Sequence, residues 1–321
     1  MDKRKLGNTD LIVSPLTFGG NVFGWTIDEK KSFEILDAFV EAGFNFIDTA
    51  DSYSHWVPGN KGGESETIIG NWMEQGKNRQ QVIIATKVGS IPGSDKKCLS
   101  RDYILKSVDN SLKRLKTDYI DLYQSHYDDL DTPIEETLDT YDGLIKAGKV
   151  RWIGASNFSP KRLLASLETA QKLSLPKYQT LQPEYNLYKR EKYETDYEQI
   201  ALDHHLGVIN YYALASGFLS GKYRSEADLG KSQRGAGIKA YLNERGFRIL
   251  KALDQVAEQY NATPASISLA WLIARPSVTA PIASVTSIDQ LQGLKQAATL
   301  KLSTEDLSIL DEASNPTNTL P

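Results

Sequence analysis

"FNFIDTADSYSHW", residues 44–56, opens as an apolar strand and closes on an acid, a phenol and an imidazole: Asp48, Tyr53 and His55. The run FNFID is too short for a helix with one buried face and shows no helical period, so it reads as a strand with a polar end. The same grammar continues along the chain. Short apolar runs alternate with amphipathic segments from residue 16 to residue 298, and eight of them qualify as strands: LTFG (16–19), FNFID (44–48), QVIIATK (81–87), YIDLYQS (119–125), VRWIGAS (150–156), YQTLQP (178–183), GVINYYA (207–213) and TAPIAS (279–284). Strands apolar along nearly their whole length belong in a parallel sheet covered on both faces.

The segments between them carry helix punctuation. Thr132-Pro133-Ile134-Glu135 reads as an N-cap, a proline at the first helical position and a capping-box glutamate. Ile134, Leu138, Tyr141, Leu144 and Ile145 then follow helical spacing, and Gly148 supplies the stop. Thr26 to Glu29 opens a helix ended by Gly43, Ser159-Pro160 opens another, and Ile104, Leu105, Val108, Leu112 and Leu115 line one face of a third. Eight β-then-α units in a row predict a single-domain (β/α)8 TIM barrel over residues 1–321. A doubly wound sheet would normally carry a glycine fingerprint after its first strand, and Gly19-Gly20-Asn21-Val22-Phe23-Gly24 is not one. Residues 3–13 read as a short β-hairpin in front of the barrel, with Leu11 and Val13 facing one way to plug its base. Residues 214–243, after the seventh strand, form a polar, glycine-bearing loop too long for a connector, which marks it as functional.

Composition removes several function classes. The 321 residues carry a net charge of −4, with 37 basic and 41 acidic side chains spread without a long run of one sign, so nucleic acid and membrane surfaces are poor partners. Cys98 is the one cysteine, which excludes an intrachain disulfide and suits a reducing compartment. No signal-peptide stretch or long apolar span is evident, and the expected location is the cytoplasm. A zinc site is not expected, because adjacent His204 and His205 lack ligand spacing and fall on the amino-terminal side of the barrel.

Barrels of this kind place chemistry at the carboxyl ends of the strands. Asp48 and Tyr53 follow the second strand, Lys87 ends the third, His126 follows the fourth, Ser156 and Asn157 follow the fifth, and Gln182 ends the sixth. Taken singly, such an Asp is usually a turn residue, such a Lys solvated and such a Tyr packing. Barrel closure, however, brings an acid, a phenol, a cation and one of only four histidines to one rim.

These residues carry a resemblance. Through "FIDTADSY", "ATKVG", "NSLKRLKTDYIDLYQSH", "GKVRWIGASNFS", "LQPEYNLY", "YYALASGFLSGKY" and "PIASVTSIDQL", nearly end to end and in order, the chain resembles the aldo-keto reductases. The resemblance implies a catalytic tetrad on Asp48, Tyr53, Lys87 and His126, with hydride transfer from a nicotinamide cofactor to an aldehyde or ketone. Tyr53 would give the proton. Lys87 would draw the phenol, which titrates near ~10 when free, towards working pH; Asp48 would keep Lys87 ionised, and His126 would orient the carbonyl oxygen. Ser156, Asn157 and Gln182 match the positions that bond the nicotinamide carboxamide, and Tyr211 the aromatic residue that stacks on the ring. Leu214, Ser216, Gly217, Leu219, Ser220, Gly221 and Lys222 resemble the segment that folds over the pyrophosphate. Ser284, Val285, Thr286, Ser287 and Gln290 lie where a helix amino terminus would meet phosphate, with Ser287 to Gln290 reading as a capping box. NADPH is the expected cofactor, but Thr286 and Ser287 stand where NADPH-preferring members usually place Arg or Lys, and Leu294 replaces a frequent Asn, which leaves NADH open.

Trp25, Trp56 and Tyr127, on rim loops, are expected to wall an apolar pocket for a small-molecule carbonyl substrate. His55 is placed as a pocket neighbour without a catalytic part. Asp128 and Asp129 follow His126; facing the pocket, they would repel acidic substrates and favour neutral aldehydes, ketones or sugars. Two other classes compete: a cofactor-sensing regulatory subunit like the potassium-channel β subunits, and a Schiff-base lyase with Lys87 as nucleophile. The sequence leaves oligomeric state open.

Overall fold

The computed structural model describes residues 1–233 and 235–317, so residue 234 of the long loop and residues 318–321 of the expected domain lie outside the described residues. A hairpin of β1 (Arg4–Lys5) and β2 (Ile12–Val13) comes first. Eight parallel strands follow: β3 (Thr17–Gly19), β4 (Phe46–Asp48), β5 (Ile83–Val88), β6 (Ile120–Ser125), β7 (Val150–Ser156), β8 (Thr180–Gln182), β9 (Gly207–Val208) and β10 (Ile282–Ala283). They lie in the order β10-β3-β4-β5-β6-β7-β8-β9. The sheet closes on itself, because Thr279 N and Ala280 N donate to Val208 O at 2.9 and 3.2 Å and Ile282 N donates to Asn210 O at 2.9 Å. This is the expected (β/α)8 barrel. Its wall of helices comprises α1 (Glu29–Glu41), α2 (Glu64–Gly76), α3 (Arg101–Leu115), α4 (Ile134–Lys146), α5 (Pro160–Leu173), α6 (Glu191–Asp196), α7 (Glu198–Asp203), α8 (Glu244–Gln259), α9 (Pro264–Ala274) and α10 (Ile288–Thr299), followed by α11 (Thr304–Ser314).

Two-residue alternation along the strands builds the site. Phe46, Ala85, Leu122, Ile209 and Ala280 form one apolar layer, and Leu6, Leu11 and Val13 of the hairpin seal it from below as expected. Two residues further on, the same inward face carries Asp48, Lys87 and Gln124, set in register as Asp48 opposite Ala85 and Lys87 opposite Gln124. Ser156 lies opposite Gln182 in the same way. The barrel is thus apolar at its base and polar at its carboxyl rim. Burying such apolar side chains is worth about 1.5–3 kcal/mol each, which supports the cost of a charged layer above them.

Several boundaries differ from expectation, each for a local reason. The seventh strand stops at Val208 rather than at 213; beyond it Ile209 N donates to Leu181 O and Tyr211 N to Pro183 O as far as the bridge between Glu184 and Tyr211, after which Tyr212, with a left-handed φ of 54°, turns the chain away. In α1 the cap is Asp28, which accepts from Lys31 N, and not Thr26, whose hydroxyl bonds back to Val22 O. The Thr132 cap also fails. Its hydroxyl donates to Asp129 Oδ2 at 2.6 Å, so no side chain caps α4. Ser159 does cap α5. Ser287 caps α10, but Gln290 reaches past it to accept from Thr286 N at 2.8 Å, which is not the reciprocal box. Leu105 is exposed on α3 while Ile104, Val108 and Leu115 are buried. The long loop holds short 3-10 turns at Ala215–Ser220, Glu226–Lys231 and Gly235–Tyr241.

Candidate active site

Lys87 and Asp48 share the polar layer, and both side chains are almost wholly buried. Lys87 Nζ donates to Asp48 Oδ2 at 2.6 Å, to Tyr53 OH at 2.7 Å and to Thr49 O at 2.9 Å. An ammonium has three protons, and all three are used. Because the Tyr53 oxygen accepts from Lys87, its own proton is free to be donated elsewhere. The other carboxylate oxygen, Asp48 Oδ1, accepts from Gln182 Nε2 at 2.9 Å and Gln124 Nε2 at 3.1 Å. Gln124 escaped the sequence reading. Its signal was its position in YIDLYQS, two residues after inward-facing Leu122.

Burial pushes the Tyr53 phenol well above its ordinary value, with the Asp48 charge adding to the shift. This corrects the expectation that Lys87 draws it towards working pH: desolvation of a phenolate outweighs one hydrogen-bonded ammonium. Tyr53 is therefore a protonated donor rather than a partly ionised one. Burial lowers Lys87, and Asp48 opposes that pull. His126 crosses Tyr53 edge-on, ring centroids 6.0 Å apart. Burial first, then the charges of Lys87 and Lys97, hold its imidazole well below the usual range, so it is neutral. Its Nδ1 is buried without a hydrogen-bond partner. An unmet lone pair costs less there than an unmet N–H, which places the proton on Nε2.

Three of the four groups open on a cavity of about 1460 Å³, with Lys87 buried behind them and outside its lining. That exceeds the ~300–1,000 Å³ typical for one drug-sized ligand. Asp48, Tyr53 and His126 line it, as do Ser156, Asn157, Gln182, Tyr211, Leu214, Ser216, Gly217, Ser220, Lys222, Ser284, Val285, Thr286 and Gln290. Leu219, Gly221 and Ser287 lie outside its lining: Leu219 is buried, Gly221 ends a turn, and Ser287 is spent on capping α10. Trp56 and Tyr127 line the tetrad end with His55. Trp25 stands behind Trp56, packed edge-on at 5.5 Å, and does not line the cavity.

Backbone geometry marks the cofactor-side loops. Asn157 (φ 56°), Tyr212 (54°), Ala215 (48°), Ser216 (58°) and Gly217 (99°) are all left-handed. For residues other than glycine this costs roughly 1–3 kcal/mol each, and such strain gathers where a ligand is clamped. A side-chain carbon on Gly217 would lie 3.8 Å from Lys222 Nζ, so that ammonium sits beside the turn. Asn157 is tied in place, its amide donating to His126 O and accepting from Tyr211 OH, both at 2.9 Å.

Asp128 and Asp129 do not face the cavity. Asp128 pairs with Arg162 at 2.9 Å, and Asp129 accepts from Leu99 N, Asp131 N and Thr132 Oγ1. Both are spent holding loops together, so the expected repulsion of acidic substrates is withdrawn. Among the described residues no cluster suited to a metal is present, and no helix is long and apolar enough to cross a membrane.

Comparison with known proteins now decides the lineage: the model of the Aldo/keto reductase family matches residues 15–315. The chain belongs to the aldo/keto reductase family. It is 35% identical over 97% of its length to an uncharacterized oxidoreductase, YrpG, of Bacillus subtilis, covering 95% of that protein. It is 33% identical to the aldo-keto reductase YhdN of the same organism, over 90% of this chain and 84% of that one. A probable voltage-gated potassium channel subunit beta of Arabidopsis thaliana is also 33% identical, over 91% and 89% of the two chains. Membership supports an oxidoreductase and the nicotinamide cofactors that aldo/keto reductases generally use.

Proposed function

We propose that this oxidoreductase reduces an aldehyde or ketone to the alcohol, with Tyr53 as general acid and NADPH as hydride donor. The observation that carries this reading is the Lys87 ammonium, which donates to Tyr53 OH and Asp48 at once and leaves the phenol's proton to face the cavity. When bound, the nicotinamide cofactor supplies hydride to the carbonyl carbon. The oxygen then gains charge beside two donors, the Tyr53 hydroxyl and His126 Nε2–H, and Tyr53 releases its proton to it. Lys87 holds the phenolate left behind. The residues present fit such a cofactor: Ser156, Asn157, Gln182 and Tyr211 line the cavity with the tetrad, and Ser216 and Gly217 form a left-handed turn with Lys222 beside it. Thr286 and Gln290 face the far end with Lys295, so a cation is within the lining although no Arg stands at 286 or 287. The substrate is a small carbonyl compound, against Trp56, Tyr127 and His55; the proposed location is the cytoplasm.

The lyase reading loses support, because a lysine with all three donors engaged has no lone pair to offer. The channel-subunit relatives keep a second reading alive, a cofactor-sensing regulatory subunit with little turnover. Tyr53→Phe tests the first. Carbonyl reduction followed by NADPH absorbance should fall about 10²-fold or more while cofactor affinity barely changes. A Phe variant as fast as the parent would remove Tyr53 from the mechanism, and a parent that turns over no aldehyde or ketone would favour the regulatory reading.

A further inference from the structure

The rim beside His126 carries a cation that the proposed reaction does not use. After β5 the chain forms a small antiparallel finger: Ser90 pairs with Lys97, and Cys98 N donates to Gly89 O at 3.2 Å. Ser90 lines the cavity, so Lys97 is tied directly to its wall. The Lys97 ammonium lies 4.1 Å from the centre of the Tyr127 ring. Tyr127 lines the cavity, and its ring stacks on His126 at 4.8 Å. Lys97 is half-buried, and among the described residues no carboxylate stands within ion-pair distance of it. The two nearby acids are engaged elsewhere, Asp128 with Arg162 and Asp129 with backbone amides and Thr132. Among the described residues Asp48 is the carboxylate lining this end of the cavity, and it is consumed by Lys87 and two glutamines; Asp51, buried outside the lining, is held well above the usual carboxylate range by burial.

Lys97 is not itself in the cavity lining; it sets a positive charge, without an ion-pair partner among the described residues, against the Tyr127 ring that walls the tetrad end. Its charge adds, after burial and Lys87, to what keeps His126 neutral. A cation held on an aromatic face that walls a pocket, and left without a counter-ion, attracts an anionic group of whatever binds there.

We propose that Lys97 is a specificity-determining residue that selects carbonyl substrates carrying a carboxylate a few bonds from the reacting carbon. This rests on the carbonyl-reductase reading and adds the substrate class to it. It also reverses the preference expected from Asp128 and Asp129. In such a complex the carbonyl oxygen meets Tyr53 and His126, the substrate's body lies against Trp56 and Tyr127, and its carboxylate comes to the edge of Tyr127, where Lys97 attracts it.

The test uses 4-carboxybenzaldehyde and its uncharged analogue 4-carbamoylbenzaldehyde, which share size and reacting group. Their ratio of kcat/KM should favour the carboxylate in the parent enzyme. The ratio should drop about tenfold in Lys97→Met, recover in Lys97→Arg, and shrink with added salt. Taking the ratio cancels any loss common to both compounds, including partial misfolding. Terephthalate and terephthalamide, followed by quenching of tryptophan emission at Trp56, give the same comparison without turnover. Failure of reduction altogether would thus strike the proposed reaction, while unchanged discrimination between acid and amide in Lys97→Met, by rate or by binding, would overturn the role of Lys97.

Discussion

Replacing Asp48 by Asn keeps the shape of the side chain and removes its charge. Asp48 serves three donors from two oxygens: Lys87 at 2.6 Å on one, Gln182 at 2.9 Å and Gln124 at 3.1 Å on the other. An amide has a single oxygen, so whichever way the new side chain turns, its NH2 meets a donor. The larger cost is the buried Lys87 ammonium stranded without a counter-ion, and breaking such a pair from one side costs about 3–5 kcal/mol. The chain can limit that cost by releasing a proton. Burial already lowers Lys87 while Asp48 resists, so without the carboxylate the depression deepens. A lysine with a folded pKa below its unfolded one binds more protons when unfolded, so stability rises with pH through the gap between them, at up to about 1.4 kcal/mol per unit. Asp48→Asn should lose about 3–5 kcal/mol near neutral pH and regain part of it towards pH ~10, over a window opening at lower pH than in the parent. Urea denaturation across that range measures both quantities. In a Lys87→Met background the pH dependence of the Asp48→Asn effect should vanish. A loss below about 1 kcal/mol, or a pH profile parallel to the parent's, would refute the claim that this pair carries its charges in a dry site.

Two further outcomes follow from named groups. His126, held neutral by burial and by Lys87 and Lys97, should show no protonation of its ring nitrogens by NMR as pH falls through the ordinary histidine range. Since its folded pKa lies below the unfolded value of about 6.5, its contribution to stability is complete above that pH and lost as pH falls below it; a ring that titrates at or above the ordinary value would contradict its being held neutral by burial and the two lysines. At the far end of the cavity, Thr286→Arg should raise the ratio of kcat/KM for NADPH over NADH by about tenfold or more, because a guanidinium offers a phosphate charge-assisted bonds that a hydroxyl and the Gln290 amide do not. An unchanged ratio would place the 2′-phosphate elsewhere.

What could be read from the sequence, and what could not, divides along the range of the forces involved. The strands showed because burial on both faces leaves little choice of residue between Ile83 and Val88 or Val150 and Ser156, and the tetrad showed because the residues of the polar rim end those runs. Competition between neighbours was invisible. Thr132 has the composition of a cap, yet Asp129 three residues earlier claims its hydroxyl, and Asp128 looks like a rim charge until Arg162 of α5 neutralises it. Leu105 fits the helical stripe by count and still lands on the solvent side, since the stripe that packs is set by the partner surface rather than by α3 alone. The direction of the Tyr53 shift was misread for a deeper reason. The sequence already pairs Lys87 with Asp48 beside the phenol; what it does not show is a site dry enough that removing water from the phenolate outweighs the attraction left over. The phenol is therefore not acidified in the resting protein. If Tyr53 is the acid, its proton becomes transferable only when charge develops on a substrate oxygen held against it, and catalysis lies in that placement rather than in a standing pool of tyrosinate.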